Sequence, residues 1–359
     1  MSLDESQIEA ALAEIKDPET GRSVTKTQQV QGVQIDGQDI VVKLALTTHS
    51  GPLWEETKTA CEEHLRAKLP AADSVKVEVA VHERPPVPIG QIGLKAKSVI
   101  AIGSGKGGVG KSTVASSVAL ALKRFGCSVG LMDADVYGPS IPHLLGISDA
   151  GRPAVSPENK IQPILANGLP VMSMGFLVPA DEAVVWRGPM LHGAITQFLR
   201  DTDWGDLDYL IIDMPPGTGD IALTLSQSLP LTGAVVVCTP QDVALLDAVK
   251  AIVMFRKVNI KVLGMVENMS GFVCPDCDKR HDIFGHGGAT ERANQMDVPV
   301  LGEVPITIAI REHGDAGKTD ALFDQSHGQY FSEIARKISR QLSDAAAKEP
   351  PMPQLPVLG

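Results

Sequence analysis

The chain has 359 residues, of which 43% are hydrophobic and 21% are charged, and its formal net charge is −11. These proportions are typical of a globular protein with more than one domain, and no apolar run is long enough to cross a bilayer. The acidic balance disfavours nucleic acid and anionic lipid as partners, and the acidic N-terminus resembles neither a signal nor a transit peptide. We therefore expect a cytoplasmic protein that binds no nucleic acid and no membrane.

The first part of the chain alternates helical and strand patterns. A helix, a strand, a second helix and a second strand are predicted, in this order, at residues 5–16, 40–47, 53–69 and 75–81. Three prolines within residues 83–88 then favour a stiff, extended connection. The sequence thus predicts a small α+β domain over residues 1–83 and a Pro-rich linker over residues 84–97.

Beyond the linker, short apolar runs alternate with helical stretches. The runs cover residues 99–102, 129–132, 209–212, 234–238 and 262–266. This alternation predicts an α/β domain with a mostly parallel sheet, in which ligands bind at the carboxyl ends of the strands. We place this domain at residues 98–348 and expect the Pro-rich tail of residues 349–359 to be disordered.

A phosphate-loop motif follows the first of these runs. Residues 105–112 match the pattern G-x-x-x-x-G-K-[ST] between a predicted strand and a predicted helix, which is the context that the motif requires. Backbone amides of the glycines wrap phosphates, Lys111 adds a cation, and the Ser112 hydroxyl can ligate Mg²⁺. We expect this phosphate loop to bind ATP and Mg²⁺. The expected nucleotide-binding residues are Gly105, Lys106, Gly107, Gly108, Val109, Gly110, Lys111, Ser112 and Thr113.

Aspartates follow two of the buried runs. Asp133 and Asp135 come after residues 129–132, and Asp213 comes after residues 209–212. An aspartate in such a position can hold a metal-bound water or orient the attacking water. We expect Asp133 and Asp213, together with Ser112, to hold Mg²⁺, partly through water.

The position of Lys106, directly after the first glycine, narrows the class of phosphate-loop protein. The block Gly-Lys-Gly-Gly-Val-Gly-Lys-Ser-Thr at residues 105–113 resembles the deviant Walker A motif of MinD, ParA, ArsA and nitrogenase iron protein. The resemblance implies a MinD-like P-loop NTPase that hydrolyses ATP slowly, whose Lys106 reaches across an ATP-closed homodimer and whose Asp135 activates water. The implied catalytic residues are Lys106, Lys111, Asp135 and Asp213, and the implied adenine contacts are Asn268 and Pro305.

Several longer runs narrow the resemblance further. They are residues 103–113, 133–140, 186–190, 213–220 and 267–270. Together they resemble the Mrp/ApbC family of iron-sulfur cluster carrier ATPases over about residues 95–345. The first domain is similar to the small domain of iron-sulfur assembly factors, but its turn at residues 48–52 lacks the cysteine that those relatives often carry. We expect this domain to serve recruitment or regulation.

A cysteine pair follows the last predicted strand. Cys274 and Cys277 lie in a glycine- and charge-rich loop, where their thiolates can project together. Two thiolates do not complete the four-cysteine shell that a [4Fe-4S] cluster usually takes, but two copies of the chain supply four. On chemistry alone, zinc bound with His281 or His286 and a structural or redox-active dithiol stay open. The family resemblance implies the cluster. The cysteines expected to be buried are Cys61, Cys127 and Cys238.

The sequence therefore predicts an ATP-dependent carrier that binds a [4Fe-4S] cluster at a homodimer interface and transfers it to apoproteins. The alternatives are a MinD- or ParA-like positioning ATPase that acts on membrane or DNA, and a zinc-bridged ATPase. Residues 330–342 carry an apolar stripe, but such a stripe usually packs on its own domain. A Pro-rich sequence follows it in place of a basic amphipathic anchor.

Overall fold

The structure is a computed structural model that describes most of the chain. The described residues are 5–136, 138–177, 188–217, 219–277 and 279–348. Some predicted features lie outside this set, namely the tail of residues 349–359 and, within the family-like runs, Tyr137, Trp186, Arg187 and Thr218.

The chain divides into two compact units. One contains the residues up to Arg84 together with those from Ser339 onward, and the other is Pro85–Ile338. The end of the last helix belongs to the first unit, where Arg340 forms an ion pair with Glu56. The sequence placed that segment in the second domain, because a contact between residues so far apart leaves no local pattern. The domain limits taken from the sequence stay a prediction.

The first unit is a three-stranded sheet with two helices. Its elements are α1 (Glu5–Ala13), β1 (Val30–Asp36), β2 (Asp39–Leu46), a 3-10 turn (Thr48–Leu53), α2 (Trp54–Lys68) and β3 (Ser74–Val81). β2 pairs antiparallel with β1 and parallel with β3. Leu12, Leu44 and Leu65 are fully buried in its core. The sequence missed β1 because this edge strand is mostly exposed and shows no apolar alternation.

The second unit holds the remaining elements, except the end of the last helix, which belongs to the first unit. In chain order they are β4 (Pro88–Ile89), β5 (Leu94–Gly103), α3 (Lys111–Arg124), β6 (Val129–Asp133), α4 (Ile141–Leu144), β7 (Ile164–Ala166), β8 (Leu169–Ser173), α5 (Gly188–Asp201), β9 (Leu207–Asp213), α6 (Gly219–Ser228), β10 (Gly233–Cys238), α7 (Asp242–Lys257), β11 (Val262–Val273), β12 (Arg280–His281), α8 (Gly288–Gln295), β13 (Val300–Ile306), α9 (Ile308–Asp315) and α10 (Gly328–Lys348).

These strands form one mostly parallel sheet. The order is β12-β11-β10-β5-β9-β6-β8-β7, with β13 beside β11 and β4 beside β5. All residues of β9 are buried, as expected for a strand covered on both faces. The predicted fold class, a MinD-like α/β domain with a mostly parallel sheet after a small α+β domain, is confirmed. The predicted linker of residues 84–97 contains β4 and the start of β5.

β11 is longer than predicted and contains a bulge. The sequence stopped this strand at Val266, because polar residues and a glycine follow, but it continues to Val273. Its pairing with β13 moves from Asn268↔Val304 directly to Phe272↔Ile306, so residues 269–271 lie opposite Pro305. Proline has no N–H to donate to a ladder and is tolerated within a sheet at such bulges.

The apolar stripe of α10 packs inside the protein. Phe331, Ile334 and Ile338 are fully buried. Ile334 lies so close to Gly302 of β13 that a Cβ there would be 2.7 Å from the isoleucine side chain. Among the helices that the structure describes, none is both long and apolar enough to cross a membrane.

Candidate functional site

The phosphate loop joins the end of β5 to the start of α3. Gly108 and Gly110 have φ angles of 78° and 77°, in the left-handed region that residues with a Cβ rarely adopt. A Cβ on Gly105 would lie 2.1 Å from the carbonyl oxygen of Asp247, and one on Gly110 would lie 2.2 Å from Asn268 Nδ2. The backbone is therefore packed tightly at the N-terminus of α3, where free amides and the helix dipole favour phosphate.

The two lysines of the loop have different surroundings. Lys106 is half-buried, and its side chain forms no ion pair with any residue that the structure describes. Lys111 is buried in the first turn of α3. The remaining loop positions are exposed at Gly107 and Gly108, buried at Val109 and half-buried at Ser112 and Thr113. The role of Lys106 in a second copy stays a prediction.

Lys111 meets the two predicted catalytic carboxylates. Its Nζ lies 2.5 Å from Asp213 Oδ1 and 3.7 Å from Asp135 Oδ2. It also lies 3.2 Å from Ser112 Oγ. β6 and β9 run parallel and place Asp133 beside Asp213. A phosphate at Lys111 would compete with Asp213 for the ammonium group.

Asp133, at the end of β6, is fully buried within a hydrogen-bond network. Its Oδ1 accepts from the Asp135 N–H at 3.0 Å, and its Oδ2 accepts from Ser173 Oγ at 2.9 Å. Burial and the charge of Asp213 raise the pKa of Asp133 to about 8. Ser173 was missed in the sequence, because only the parallel pairing of β8 with β6 places it beside Asp133.

Asp213 fits the predicted Mg²⁺ site. It is fully buried, and burial raises its pKa while Lys111 and Ser112 oppose that rise. Among the described residues, its Oδ2 finds no hydrogen-bond partner. Buried polar atoms are rarely left unpaired, and oxygen atoms from carboxylates and hydroxyls are the ligands that Mg²⁺ prefers. Asp213 and Ser112 therefore form a suitable donor set.

The predicted adenine contacts lie on neighbouring strands. Asn268 of β11 donates from Nδ2 to the carbonyl of Val109 at 2.9 Å. The Asn268 side chain therefore supports the phosphate loop through this hydrogen bond. Pro305 is buried on β13 opposite the bulge of β11. Contact with adenine stays a prediction for both residues.

The cysteine pair lies at the tip of a β-hairpin. β11 and β12 are antiparallel, with Val273 opposite Arg280, and the Cys274 N–H donates to the Lys279 carbonyl at 3.0 Å. Cys274 is half-buried and Cys277 is exposed, whereas the other three cysteines are buried. The hairpin therefore presents the accessible thiols of the chain.

The buried cysteines are poor ligands. Burial raises the pKa of the Cys61 and Cys238 thiols to about 12. A thiolate is the metal-binding form of cysteine, so a high pKa disfavours metal binding. Their predicted role as small buried hydrophobic residues agrees with this environment.

A zinc site within one chain would need further ligands beside the hairpin. In the parts of the chain that the structure describes, no group of three or more His, Cys, Asp or Glu residues is arranged to hold a metal. His286 Nδ1 instead lies 3.0 Å from Arg280 Nη2. Among the described residues, the hairpin thus offers its two thiols without a third ligand arranged beside them.

A cavity of about 640 Å³ adjoins the hairpin. Cys274 and Phe272 form part of its wall, and Ile308, His313 and Tyr330 face it from α9 and α10. Sequence patterns do not predict this cavity, because its walls come from three separate segments.

The second unit is a P-loop NTPase, because its phosphate loop leads from a central parallel strand into a helix and meets carboxylates from two neighbouring strands. The family model of NUBPL iron-transfer P-loop NTPases matches residues 95–341, and that of iron-sulfur cluster assembly proteins matches residues 5–79. The chain belongs to the NUBPL iron-transfer P-loop NTPase family. The predicted family is confirmed.

Similar proteins extend over nearly the whole chain. The iron-sulfur cluster carrier protein of Synechocystis is 44% identical over 342 residues, which cover 93% of this chain and 97% of that protein. The protein of the same name from Deinococcus radiodurans is 45% identical over 350 residues, covering 97% of this chain and 98% of that protein.

Solved structures match about two thirds of the chain. A nucleotide-binding protein from Archaeoglobus fulgidus in complex with ADP is 41% identical, with a TM-score of 0.58, and covers 66% of this chain and 93% of that chain. A chain of the MinC:MinD cell division protein complex of Aquifex aeolicus has a TM-score of 0.50 at 19% identity, covering 67% of this chain and 94% of that chain. The second likeness concerns the fold alone.

Proposed function

We propose that this chain is an ATP-dependent carrier that holds an iron-sulfur cluster and delivers it to apoproteins. The names of its relatives, iron-sulfur cluster carrier proteins, support this proposal. The observation that carries it is the position of Cys274 and Cys277. The pair follows directly on β11, the strand whose Asn268 supports the phosphate loop. One strand thus connects a nucleotide site with the accessible thiols.

The cluster is shared between two copies of the chain. Each copy offers two accessible thiolates, and a [4Fe-4S] cluster usually takes four cysteines. A twofold axis through the hairpins supplies the second pair. Transfer is then a ligand exchange without a change of oxidation state. Each iron–sulfur bond to the carrier is replaced by one to a recipient cysteine, whose thiol proton passes to the released thiolate.

ATP binding and hydrolysis use the residues around Lys111. Lys111 leaves Asp213 for the outer phosphates, and Asp135 orients the attacking water. Ser112 and Asp213, with Asp133, would hold Mg²⁺, which supplies charge neutralisation at the phosphates. The ADP complex of the Archaeoglobus protein supports nucleotide binding.

The partner copy completes the nucleotide site with Lys106. This lysine is not neutralised by a carboxylate within the described part of its own chain. We expect slow hydrolysis, because closure of two chains must precede the chemical step. A cytoplasmic location, and the absence of membrane and nucleic acid partners, stay predictions from the sequence.

Anaerobic reconstitution tests the carrier function. Wild type, Cys274→Ala and Cys277→Ala are incubated with iron and sulfide, and bound iron and visible absorption are measured. Cys61→Ala, which removes a buried thiol, is the matched control. We expect wild type and the control to hold a cluster and to activate an apoprotein that needs one, and both hairpin variants to lose it. A wild type without bound iron, or hairpin variants with full iron, would contradict the proposal.

A further inference from the structure

The bulge of β11 lies between the phosphate loop and the cysteine pair. Asn268 supports the loop at one end of the bulge, and Cys274 follows the strand at the other. Within the bulge, Met269 and Gly271 have φ angles of 58° and 72°. A left-handed conformation is unusual for methionine and persists only where the surroundings hold it.

Arg280, from β12, is the residue that holds the bulge. Its Nη2 donates to Ser270 Oγ at 3.2 Å, and its Nε donates to Asp282 Oδ1 at 2.9 Å. The guanidinium lies directly on Gly271, where an added Cβ would be 2.7 Å from Arg280 Nε. The planar fork of an arginine allows these contacts at the same time.

The charges around the bulge require this cation. Ser270 Oγ lies 2.6 Å from Glu267 Oε1 and 2.9 Å from Glu303 Oε2. Glu267 is buried, and its Oε2 accepts from the Ala289 N–H at 3.0 Å. Two carboxylates that share one hydroxyl repel each other. Arg280, whose Nη2 is 3.4 Å from Glu303 Oε2, compensates this repulsion.

We infer that Arg280 is a positioning residue that couples the nucleotide site to the cysteine pair. A shift of the Val109 carbonyl moves Asn268. Because Arg280 holds the bulge in place, the bulge does not deform, and the movement is transmitted along β11 to the cysteine pair. Arg280 itself pairs with Val273, the residue before Cys274. The purpose of the coupling, nucleotide control of cluster release, rests on the proposed function.

Thiol accessibility tests the coupling on the cluster-free full chain. A chromogenic aromatic disulfide reacts with thiolates and releases a coloured thiolate, and only the hairpin cysteines are accessible to it. We expect ATP to change their reaction rate by about fivefold or more in wild type, the lower end of allosteric couplings. Arg280→Ala should bring the ratio of rates with and without ATP close to one. Lys279→Ala, which removes an exposed positive charge from the same hairpin, should keep the wild-type ratio.

Two further measurements separate coupling from folding. ATP affinity and the unfolding midpoint of Arg280→Ala are compared with wild type. If that variant does not fold, Arg280→Lys is used instead, because it keeps the positive charge but lacks the planar guanidinium. Its ratio of thiol reaction rates with and without ATP should also be close to one. A wild-type ratio in the folded Arg280 variant, or no ATP response in wild type, overturns the inference. The thiol assay uses cluster-free protein, so its result does not depend on cluster binding. A failed reconstitution would therefore contradict the proposed carrier function and leave the coupling unaffected.

Discussion

Lys111 Nζ lies 2.5 Å from Asp213 Oδ1, inside a site where the lysine side chain is 7% exposed and the aspartate is fully buried. The cation proposed to serve the outer phosphates is thus held by the carboxylate proposed to assist Mg²⁺. Each group neutralises the other in the nucleotide-free chain, and the proposed function exchanges this internal pair for phosphate and metal contacts.

Replacement of Lys111 by alanine should remove ATP binding and also destabilise the nucleotide-free chain. Loss of one partner leaves Asp213 as an uncompensated buried charge, which costs about 3 kcal/mol or more. Urea unfolding without nucleotide measures this effect. The double variant Lys111→Met with Asp213→Asn should recover part of the stability but no ATP binding. An unfolding free energy of Lys111→Ala equal to that of wild type would show that the ion pair is unimportant.

Replacement of Lys106 by alanine should leave the isolated chain almost unchanged. This half-buried lysine forms no ion pair in the described structure, so we expect a stability change within about 0.5 kcal/mol. ATP should still bind, but the ATP-dependent dimer and hydrolysis should be lost. Sedimentation with ATP and phosphate release measure both effects, with Lys279→Ala as the charge-matched control. Undiminished hydrolysis in a monomeric Lys106→Ala chain contradicts a role across the dimer.

The raised pKa of Asp133 predicts a pH-dependent stability. The pKa of Asp133 is about 8 in the folded chain and about 4 in the unfolded chain. Between these two pH values the folded chain keeps a proton on Asp133 that the unfolded chain has lost. The unfolded state therefore binds fewer protons in this window, and the contribution of Asp133 to stability falls as the pH rises. Asp133→Asn should weaken the fall of the unfolding midpoint between about pH 6 and pH 8. Thermal unfolding without nucleotide or Mg²⁺ is the measurement, and identical pH profiles would refute the assignment.

The contact of Asn268 with the phosphate loop predicts a graded loss of nucleotide affinity. Asn268→Ala removes the 2.9 Å hydrogen bond to the Val109 carbonyl, and should weaken ATP binding about tenfold. Gly110→Ala should be worse, because its φ of 77° and its contact with Asn268 both exclude a Cβ. The double variant removes the clash but keeps the backbone strain, so calorimetry should show only partial recovery. Wild-type affinity in Gly110→Ala contradicts this packing.

Local patterns in the sequence predicted the parts of the site that depend on local chemistry. The phosphate loop at residues 105–112 has glycines where positive φ and close backbone contacts require them. The aspartates follow continuous apolar runs, which are typical of strands buried on both faces. The fold class followed from the alternation of these runs with helices.

The missed parts depend on contacts between distant segments. Ser173 reaches Asp133 only through the pairing of β8 with β6. In the sequence, Arg280 resembles an ordinary surface charge, and only the hairpin places it against Gly271. The extension of β11 was hidden because its bulge contains polar residues and a glycine, which in isolation favour a turn.

Native mass spectrometry of the anaerobically reconstituted protein tests the shared cluster most directly. We expect cluster-loaded protein to appear as a dimer with the added mass of one [4Fe-4S] unit, and Cys277→Ala to show no such species. A cluster or a zinc ion bound to each single chain, with the dimer carrying two, would contradict a site built from the hairpins of two copies.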